Sequence, residues 1–555
     1  MDPRCLAQWQ RHRLCPLVRL REGRHSCYSY IWARMSRCVL CSALDFTLLS
    51  LTSGQVYRGL CPTKALPKPR YAGVRTLSEP GSLGTSAANM VDSDALVLFF
   101  PGPKTVTGED VLELHVHGGS ATVKAVLSAI RKCSSLGAIR YAEPGEFTRR
   151  AFLNGRLDLA QVESLGDTLA AETEHQRRAA VRGNSGILGQ TYDGWREDLL
   201  LARGEIEALI DFSEDQHFDE SPTELLANVT RLVQGILDSI WLHKLGSQRS
   251  ELLRNGIRIA LLGPPNAGKS SLMNQIVGRE ASIVSAEAGT TRDIVEANLD
   301  IRGYLCSFAD TAGIRTKALG TISHGGAMSA STIGAIEEEG IRRARQKALD
   351  SDVIIVLASV EAVQPGGYRI SYDMETLELA AGAQQCLVVV NKTDVATPES
   401  LRPLIQDFKA SALAGIDGLR DKEPLTISCK AAVSPAAAGL TDAGGIHDLT
   451  EKLAQSFSDL TSLPDDMQHL LGVTERQNQL LSECERHLND FMAEARKTGP
   501  YDEPDVVLAA EHLRLAALRL ASITGRGESG DVEEVLGVIF EKYCALTRSL
   551  TSHIR

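Results

Sequence analysis

The chain lacks any long apolar run and any excess of basic charge. No stretch of 18 consecutive apolar residues occurs among its 555 residues, so the sequence predicts no membrane-spanning helix. Its 59 Lys and Arg stand against 70 Asp and Glu, a formal net charge of −11. Because charge captures nucleic acid only through clustered Lys and Arg, this balance excludes polynucleotide binding by overall charge. The hydrophobic content of 43% is ample for packed cores, and the length predicts roughly three or four domains.

Cysteine is present but shows no disulfide framework. Half of the twelve cysteines precede Pro62, and Cys38 and Cys41 form one isolated CxxC pair. Without a second pair or a matching histidine, this pair is a weak indication of zinc, with scattered reduced thiols as the alternative. The first 45 residues are nearly free of acids and rich in arginine. That balance predicts a mitochondrial targeting segment over residues 1–45.

The most informative pattern is GPPNAGKS at Gly263–Ser270, which has the form GxxxxGK[ST]. The apolar run Ile257–Leu262 before it predicts a buried strand, and the residues after it have the spacing of an amphipathic helix. In such a loop the backbone N–H groups cradle phosphate oxygens, Lys269 reaches the β- and γ-phosphates and the Ser270 hydroxyl ligates Mg²⁺. The pattern therefore predicts a nucleotide site that includes Gly263, Asn266, Ala267, Gly268, Lys269, Ser270 and Ser271.

Three downstream elements identify the nucleotide. DTAG, which comprises Asp310, Thr311, Ala312 and Gly313, follows a strand-like run and would face Mg²⁺ and the γ-phosphate. NKTD, with Asn391, Lys392 and Asp394, follows another apolar run. The Asp394 carboxylate can accept hydrogen bonds from N1–H and N2–H₂ of guanine, a pattern that adenine does not offer. SCK, which comprises Ser428, Cys429 and Lys430, is similar to the loop that backs the guanine base. Four elements in this order, each after a predicted strand, predict a GTP-binding domain with ATP as the poorer alternative.

Two residues depart from the Ras-like pattern. Ile314 stands where Ras-like proteins carry the Gln that orients the attacking water, so another group must activate water here. Asn266 lies three residues before Lys269, and an amide oxygen there can ligate a monovalent cation. That cation would supply the positive charge that an arginine finger provides elsewhere. The alternative is a loop residue chosen for its tolerant backbone.

Apolar residues recur at helical spacing on both sides of this GTP-binding segment. Leu159, Val162, Leu165 and Leu169 show the pattern, as do residues 467–495 and 505–523. These stretches are expected to pack together as one helical bundle. The predicted fold class is an α/β P-loop GTPase domain (254–460) inserted in an α-helical bundle (149–253 and 461–555). A smaller α+β N-terminal domain (46–148) precedes it.

The chain resembles the MnmE (TrmE) family. In the GTPase segment the resemblance rests on GPPNAGKSSL, SIVSAEAGTTRDIVEA, DTAGIR, IEEEGIRRA and NKTD. Before that segment it rests on the stretches Phe99–Gly119 and Glu143–Leu169, and it runs from about Leu66 to Cys544. It implies a GTPase that forms a 5-carboxymethylaminomethyl-type group on the wobble uridine, position 34, of tRNA. It also implies an FAD-dependent partner of the MnmG type.

The resemblance implies roles for residues around the nucleotide. Glu337 in IEEEGIRRA aligns with the family's catalytic carboxylate, and Glu338 and Glu339 are the neighbours that could take its place. The alternative for this cluster is a charged helix start, where acids complement the helix dipole. Thr291 would ligate Mg²⁺. A K⁺ ion would be held by Asn266 with groups at or near Ser285, Glu287 and Thr290.

The family's N-terminal domain forms a homodimer and binds a 5-formyl-tetrahydrofolate-type one-carbon donor. Glu113 and Arg156 fall at its acidic and basic folate contacts, with solvated surface charges as the alternative. Cys544 corresponds to the family's modification-site cysteine, but Ala545–Thr547 stand where the family has Ile-Gly-Lys. The family's Gly-rich N-terminal strand is not found upstream of Leu66. A second interpretation is therefore a regulatory or assembly GTPase on the same scaffold, without a competent one-carbon site.

Overall fold

The structure is a computed structural model that describes residues 39–43, 52–81, 87–133, 139–143, 145–211, 222–279, 281–286, 297–309, 346, 349–363, 367–433, 442, 444–497 and 504–526. These residues fall into two compact units, one up to Leu157 and one from Asp158 onward.

The first unit is an antiparallel sheet with helices. In chain order it contains β1 (Val39–Ala43), α1 (Thr52–Leu60), β2 (Gly73–Ser78), β3 (Met90–Phe100), β4 (Val111–His115), α2 (Ser120–Lys132) and α3 (Glu146–Leu153). The strand order is β1-β4-β3-β2, with every pairing antiparallel. Leu112 and Leu114 of β4 are buried on the face where Val56 of α1 and Val126 of α2 pack. Glu113 between them points the other way, as the two-residue period of a strand requires.

Strand β1 lies inside the segment that the sequence predicts to be a targeting peptide. Its five residues pair with β4, and Cys41 lies opposite Glu113 in the register. This pairing makes Val39–Ala43 a strand of the N-terminal sheet. The predicted leader, residues 1–45, therefore includes one strand of that sheet. Targeting by the residues before Val39 stays a prediction, because those residues lie outside the described part of the chain.

The second unit begins with four helices: α4 (Leu159–Ala170), α5 (Glu174–Gly183), α6 (Ile187–Asp211) and α7 (Pro222–Asn255). A capping box starts α4. The Asp158 carboxylate accepts from the Gln161 N–H at 2.7 Å, and the Gln161 side chain accepts from the Asp158 N–H at 3.0 Å. Two donors that the helix itself cannot pair are satisfied in this way, which fixes where α4 begins.

The α/β domain follows α7 directly. It contains β5 (Ile257–Leu262), α8 (Lys269–Arg279), β6 (Ala281–Ala286), β7 (Ala297–Ile301), β8 (Tyr304–Ala309), β9 (Val353–Val363), β10 (Gly367–Ser371), α9 (Met374–Ala381), β11 (Gln385–Asn391), α10 (Pro398–Phe408), β12 (Leu425–Thr426), α11 (Cys429–Val433) and α12 (Ile446–Thr461). The strand order is β12-β11-β9-β5-β8-β7-β6, and β10 pairs with β9. From β12 to β8 the strands are parallel. The first eight residues of β9 are buried without alternation, as helices on both faces of a parallel sheet require.

After the α/β domain the chain returns to the bundle with α13 (Glu475–Ala495) and α14 (Val506–Thr524). Helix α14 packs against α6 and α13, and α13 packs against α7. Glu163 of α4 joins the two halves, because it accepts hydrogen bonds from Thr474, Arg476 and Gln477. The α/β domain is therefore inserted between two halves of one bundle, and the predicted fold class is confirmed. Among the described helices, none combines the length and the apolar character needed to cross a membrane.

The bundle contacts the α/β domain at the turn between β7 and β8. The His175 ring of α5 stacks on Tyr304 with ring centroids 3.9 Å apart and planes at 13°. The His175 N–H donates to the Gly303 carbonyl at 3.1 Å. At Gly303, φ is 88° and a Cβ would lie 3.1 Å from the His175 ring, so a glycine is required there.

The bundle core also contains a buried histidine. Nδ1 of His243 lies 3.0 Å from the hydroxyl of the fully buried Tyr192, and its ring packs edge-on against Trp195. Burial and, to a smaller extent, the nearby His469 lower the pKa of His243 from 6.5 to about 3. His243 is therefore neutral in the folded protein at every pH above about 3.

This histidine predicts an acid-sensitive stability. Between pH 6.5 and about 3 the unfolded chain binds a proton at His243 that the folded chain does not. The free energy of unfolding should then fall by up to ~1.4 kcal/mol per pH unit as the pH drops through that range. His243→Gln keeps an acceptor for Tyr192 but does not titrate. Urea unfolding at pH 7.5 and 4.5 should show a smaller acid loss in His243→Gln than in the wild type. The exposed control His447→Gln should show the wild-type loss, and an equal loss in all three proteins would contradict the prediction.

Candidate nucleotide site

Two glycines give the phosphate loop its shape. Gly263 follows β5 with φ 140°, and a Cβ there would lie 2.2 Å from the Leu357 carbonyl oxygen. Gly268 precedes α8 with φ 99°, and a Cβ there would lie 2.2 Å from the Asn391 amide nitrogen. Both positions combine a left-handed backbone with a close neighbour, so no other residue fits without distortion. The GxxxxG spacing is thus a steric requirement of this fold.

Lys269 lies in the first turn of α8, where it faces back over the loop. Its Nζ donates to the carbonyls of Gly263 at 2.7 Å and Pro264 at 3.0 Å. Ser270 is the next residue and is exposed. The unpaired N–H groups of a helix N-terminus attract anions. The ammonium group, this helix start and an exposed serine therefore share the small region where the sequence predicts the phosphates and Mg²⁺.

The backbone of Asn266 is left-handed, with φ 63°, and its side chain is exposed. Asparagine tolerates this conformation better than most residues, which agrees with a loop residue chosen for its backbone. The exposed amide is equally open to a cation. The two interpretations from the sequence are therefore compatible, and a substitution that preserves the backbone can separate them.

Asn391 connects the phosphate loop to the base-binding loops. Its buried side chain donates to the Ala267 carbonyl at 2.9 Å and accepts from the backbone N–H groups of Lys392 at 2.8 Å and Cys429 at 3.3 Å. One amide thereby joins the GPPNAGKS, NKTD and SCK segments. The structure brings these three predicted elements together at one edge of the sheet, beyond the carboxyl ends of β5 and β11.

Asp394 is oriented by the SCK loop. Its Oδ1 accepts from the Ser428 hydroxyl at 2.6 Å, and Lys430 Nζ lies 4.0 Å from its Oδ2. The Ser428 hydroxyl in turn accepts from the Ala431 N–H at 3.0 Å. A carboxylate is an acceptor only, so it matches the two neighbouring donors on guanine. This corner can distinguish guanine from adenine.

Cys429 contributes its backbone and not its thiol. Burial raises the pKa of the Cys429 thiol to about 11, so the group is protonated and unreactive at neutral pH. Its N–H is one of the donors to Asn391.

Gly444 also supports the site, although the sequence motifs do not include it. Its carbonyl accepts from the Ser428 N–H at 2.9 Å, and a Cβ at Gly444 would lie 2.8 Å from the Ser428 carbonyl oxygen. The signal that could have revealed it is the Gly444-Gly445 pair just before α12. A close approach between two backbones accounts for a glycine at this position.

Several predicted site residues lie outside the described part of the chain: Glu287, Thr290, Thr291, Asp310, Thr311, Ala312, Gly313, Glu337 and Cys544. Ser285 lies in β6, where it pairs in register with Asn298. The predicted roles of these residues stay predictions.

The predicted folate contacts both lie in the first unit, where each has a different partner. Glu113 Oε2 lies 3.3 Å from Nε2 of His115, and Arg156 Nε donates to the Thr105 carbonyl at 2.9 Å. Between Glu113 and Arg156, both in the described part of the chain, there is no hydrogen bond or ion pair. Arg156 is therefore fixed to the loop before β4 and Glu113 to the strand itself.

The comparisons with known proteins agree with this geometry. Residues 159–544 match the MnmE helical domain, and residues 51–156 match the N-terminus of the GTP-binding protein TrmE. The mitochondrial 5-taurinomethyluridine-[tRNA] synthase subunit GTPB3 of Danio rerio is 34% identical over 90% of this chain and 93% of that protein. The tRNA modification GTPase MnmE of Parvibaculum lavamentivorans is 40% identical over 81% of this chain and 85% of that protein.

Among solved structures, the G domain of the T. maritima FeoB iron transporter matches 36% of this chain and 98% of its own length. It is 20% identical, and the TM-score of 0.21 adds nothing to the fold assignment. The fold and the guanine corner define a P-loop GTPase, which binds GTP and Mg²⁺. The chain belongs to the MnmE (TrmE) family, whose bacterial relatives are named tRNA modification GTPases.

The guanine corner predicts a change of base specificity in Asp394→Asn. The variant loses two charge-assisted hydrogen bonds to guanine, worth ~1.5–3 kcal/mol each, so GTP affinity should fall by roughly 10²–10⁴. Affinity for XTP should rise, because the amide can donate to the extra carbonyl of xanthine. Binding of fluorescent GTP and XTP analogues measures both. Asp407→Asn, an exposed change in the same domain, should leave both affinities unaltered. Unchanged GTP affinity in Asp394→Asn would refute the assignment.

Proposed function

We propose that this chain is a GTP-hydrolysing protein that forms a 5-carboxymethylaminomethyl-type group on the wobble uridine, position 34, of mitochondrial tRNA. The observation that supports the proposal is the Asn391 junction, which brings together three segments predicted to form a guanine-specific site in a chain of this family. Relatives named for tRNA modification support the substrate. One of these relatives is named for a taurinomethyl group and not for a carboxymethylaminomethyl group. The identity of the amine that this chain helps to incorporate therefore has to be measured.

Hydrolysis is proposed to use the residues around the phosphate loop. Lys269 would stabilise the charge on the β- and γ-phosphates. Ser270 and Thr291 would hold Mg²⁺, which neutralises developing negative charge on the phosphates when bound. Glu337 would orient the attacking water in place of the glutamine that Ile314 replaces, with Glu338 and Glu339 as the alternatives.

A K⁺ ion is proposed to supply further positive charge next to the phosphates. Asn266 would offer its exposed amide oxygen, with groups at or near Ser285, Glu287 and Thr290 completing the site. K⁺ would stabilise the negative charge of the transition state, as an arginine finger does in other GTPases. This chain is therefore not expected to need an arginine finger.

The modification is proposed to require partners. A net charge of −11 gives little general attraction for RNA, so the tRNA would be held locally or mostly by an FAD-dependent MnmG-type partner. The N-terminal domain would form a homodimer and bind a 5-formyl-tetrahydrofolate-type donor near Glu113 and Arg156, with Cys544 close to the modification site. The arginine-rich leader and the mitochondrial names of some relatives support a mitochondrial location.

The tRNA test separates this function from that of a regulatory or assembly GTPase. In a strain that lacks the gene, mass spectrometry of mitochondrial tRNA should show an unmodified wobble uridine. The wild-type gene should restore the modified nucleoside, and the mass of the added group identifies the amine. Lys269→Ala should fail to restore it, while the control His447→Ala should succeed. A fully modified wobble uridine in the deletion strain would contradict the proposal and favour the regulatory function.

The K⁺ site predicts a salt-specific rate. GTP hydrolysis should be faster in K⁺ than in Na⁺ by a factor approaching the ~10³–10⁵ of an arginine finger. Asn266→Gly keeps the left-handed backbone and removes only the amide. Its rate in K⁺ should drop towards the rate in Na⁺, whereas a loop residue needed only for its backbone would leave the K⁺ rate intact. Identical wild-type rates in the two salts would refute the K⁺ site.

A further inference from the structure

Three side chains with metal-ligating atoms meet between the last two helices of the bundle. His487 and Asp490 belong to α13 and His512 to α14, and one ligand atom from each lies within 4.8 Å of the other two. His487 and Asp490 are three residues apart, so they lie on the same side of α13. The packing of α14 against α13 brings His512 to that side. The cluster therefore bridges two helices, far along the chain from every motif of the nucleotide site.

His512 carries an unpaired polar atom. Its Nδ1 is buried and makes no hydrogen bond with any residue that the structure describes. Native proteins rarely leave such an atom without a partner, and one explanation is an ion or water at the site. A metal ion bound to the cluster would satisfy a ring nitrogen here.

His487 is almost completely buried, with 9% of its surface exposed. Its Nε2 lies 3.4 Å from Arg486 Nη2, which is beyond the usual range for a good hydrogen bond. This ring nitrogen is therefore only weakly engaged, and a metal ion could displace the contact. Burial lowers the pKa of His487, as do Arg486, Arg519 and His512, while Asp490 acts in the opposite direction. A neutral ring is the form that ligates metals.

Charged side chains of both signs surround the cluster. Arg486 and Arg519 are cationic and would repel a metal ion. However, Arg519 is paired with Glu483, its Nε lying 3.1 Å from a carboxylate oxygen. Asp490 is exposed and contributes a further negative charge. Glu494 and Glu511 also interact electrostatically with His512, so carboxylates act on the cluster as well as the two guanidinium groups.

We propose that His487, Asp490 and His512 bind one divalent transition-metal ion, with Zn²⁺ as the preferred ion. Two imidazoles and one carboxylate suit Zn²⁺, and three protein ligands plus water is a common zinc arrangement. Mg²⁺ and Ca²⁺ prefer oxygen ligands and are disfavoured here. The ion would connect α13 to α14. It is distinct from the Mg²⁺ and the proposed K⁺ of the nucleotide site.

The test is metal binding by the full-length protein without a polyhistidine tag. After treatment with a chelator, Zn²⁺ is titrated calorimetrically in excess Mg²⁺ and without nucleotide, and Co²⁺ is added separately as an optical probe. We expect one Zn²⁺ to bind per chain. Bound Co²⁺ should give a visible absorption spectrum that indicates a low coordination number of the ion. Zn²⁺ should also raise the melting temperature of the wild type.

The variants locate the site. Asp490→Ala alters an exposed residue and should fold normally, and His512→Ala removes the unpaired nitrogen. Each variant should bind Zn²⁺ more weakly than the wild type by at least ~10–100-fold, because loss of even an outer-shell partner weakens metal binding by that factor. Each should also lose the Zn²⁺-induced rise in melting temperature. His447→Ala, an exposed histidine outside the cluster, should bind Zn²⁺ like the wild type. The proposal is overturned by absence of saturable Zn²⁺ binding to the wild type, or by equal binding in Asp490→Ala and His512→Ala.

Discussion

The hydrogen bonds of one buried amide hold the segments of the nucleotide site together. Asn391 lies at the end of β11 and donates to the Ala267 carbonyl inside the phosphate loop. Its oxygen fixes the backbone where both base-recognition loops begin. The segments predicted to bind the phosphates and to recognise the base lie more than 120 residues apart in the chain, and this side chain connects them. The glycine at position 268 is required by the same contact, because a Cβ there would collide with the amide.

The architecture also connects the nucleotide domain to the bundle that carries it. The domain enters after α7 and leaves before α13, and Glu163 with Arg476 ties the two flanking halves together. Between these connections, His175 of α5 stacks on Tyr304 at the β7–β8 turn, where Gly303 allows the close approach. Strand β8 runs from this turn towards Asp310. A path of direct contacts therefore leads from the bundle to the strand that precedes the DTAG motif.

Local signals in the sequence predicted much of this structure. The strand, glycine-rich loop and helix around Lys269 are contiguous, so spacing alone located them. The same holds for NKTD behind the buried strand β11. The bundle was predictable because apolar residues at helical spacing mark the buried face of each helix.

Features that depend on tertiary packing were not predictable in the same way. The sequence indicated Asn391 as a base-binding residue, but its bond to Ala267 depends on how two distant strands order themselves in the sheet. The meeting of His487 with His512 depends on the rotation of two helices about their axes, which periodicity does not fix. Strand β1 was not predicted because its five residues, VLCSA, are a short uncharged run inside the segment 1–45 whose arginine content indicates a leader. Gly444 escaped notice because its partner, Ser428, approaches through the backbone alone.

The most direct test of this account is the GTP affinity of Asn391→Ala. Loss of three buried hydrogen bonds at ~1 kcal/mol each should weaken GTP binding by about a hundredfold. GDP binding should weaken equally, since the junction supports both loops and does not contact the γ-phosphate. Asn274→Ala, an exposed amide on the adjacent helix α8, should bind both nucleotides like the wild type. Wild-type affinities in a folded Asn391→Ala protein would contradict the account.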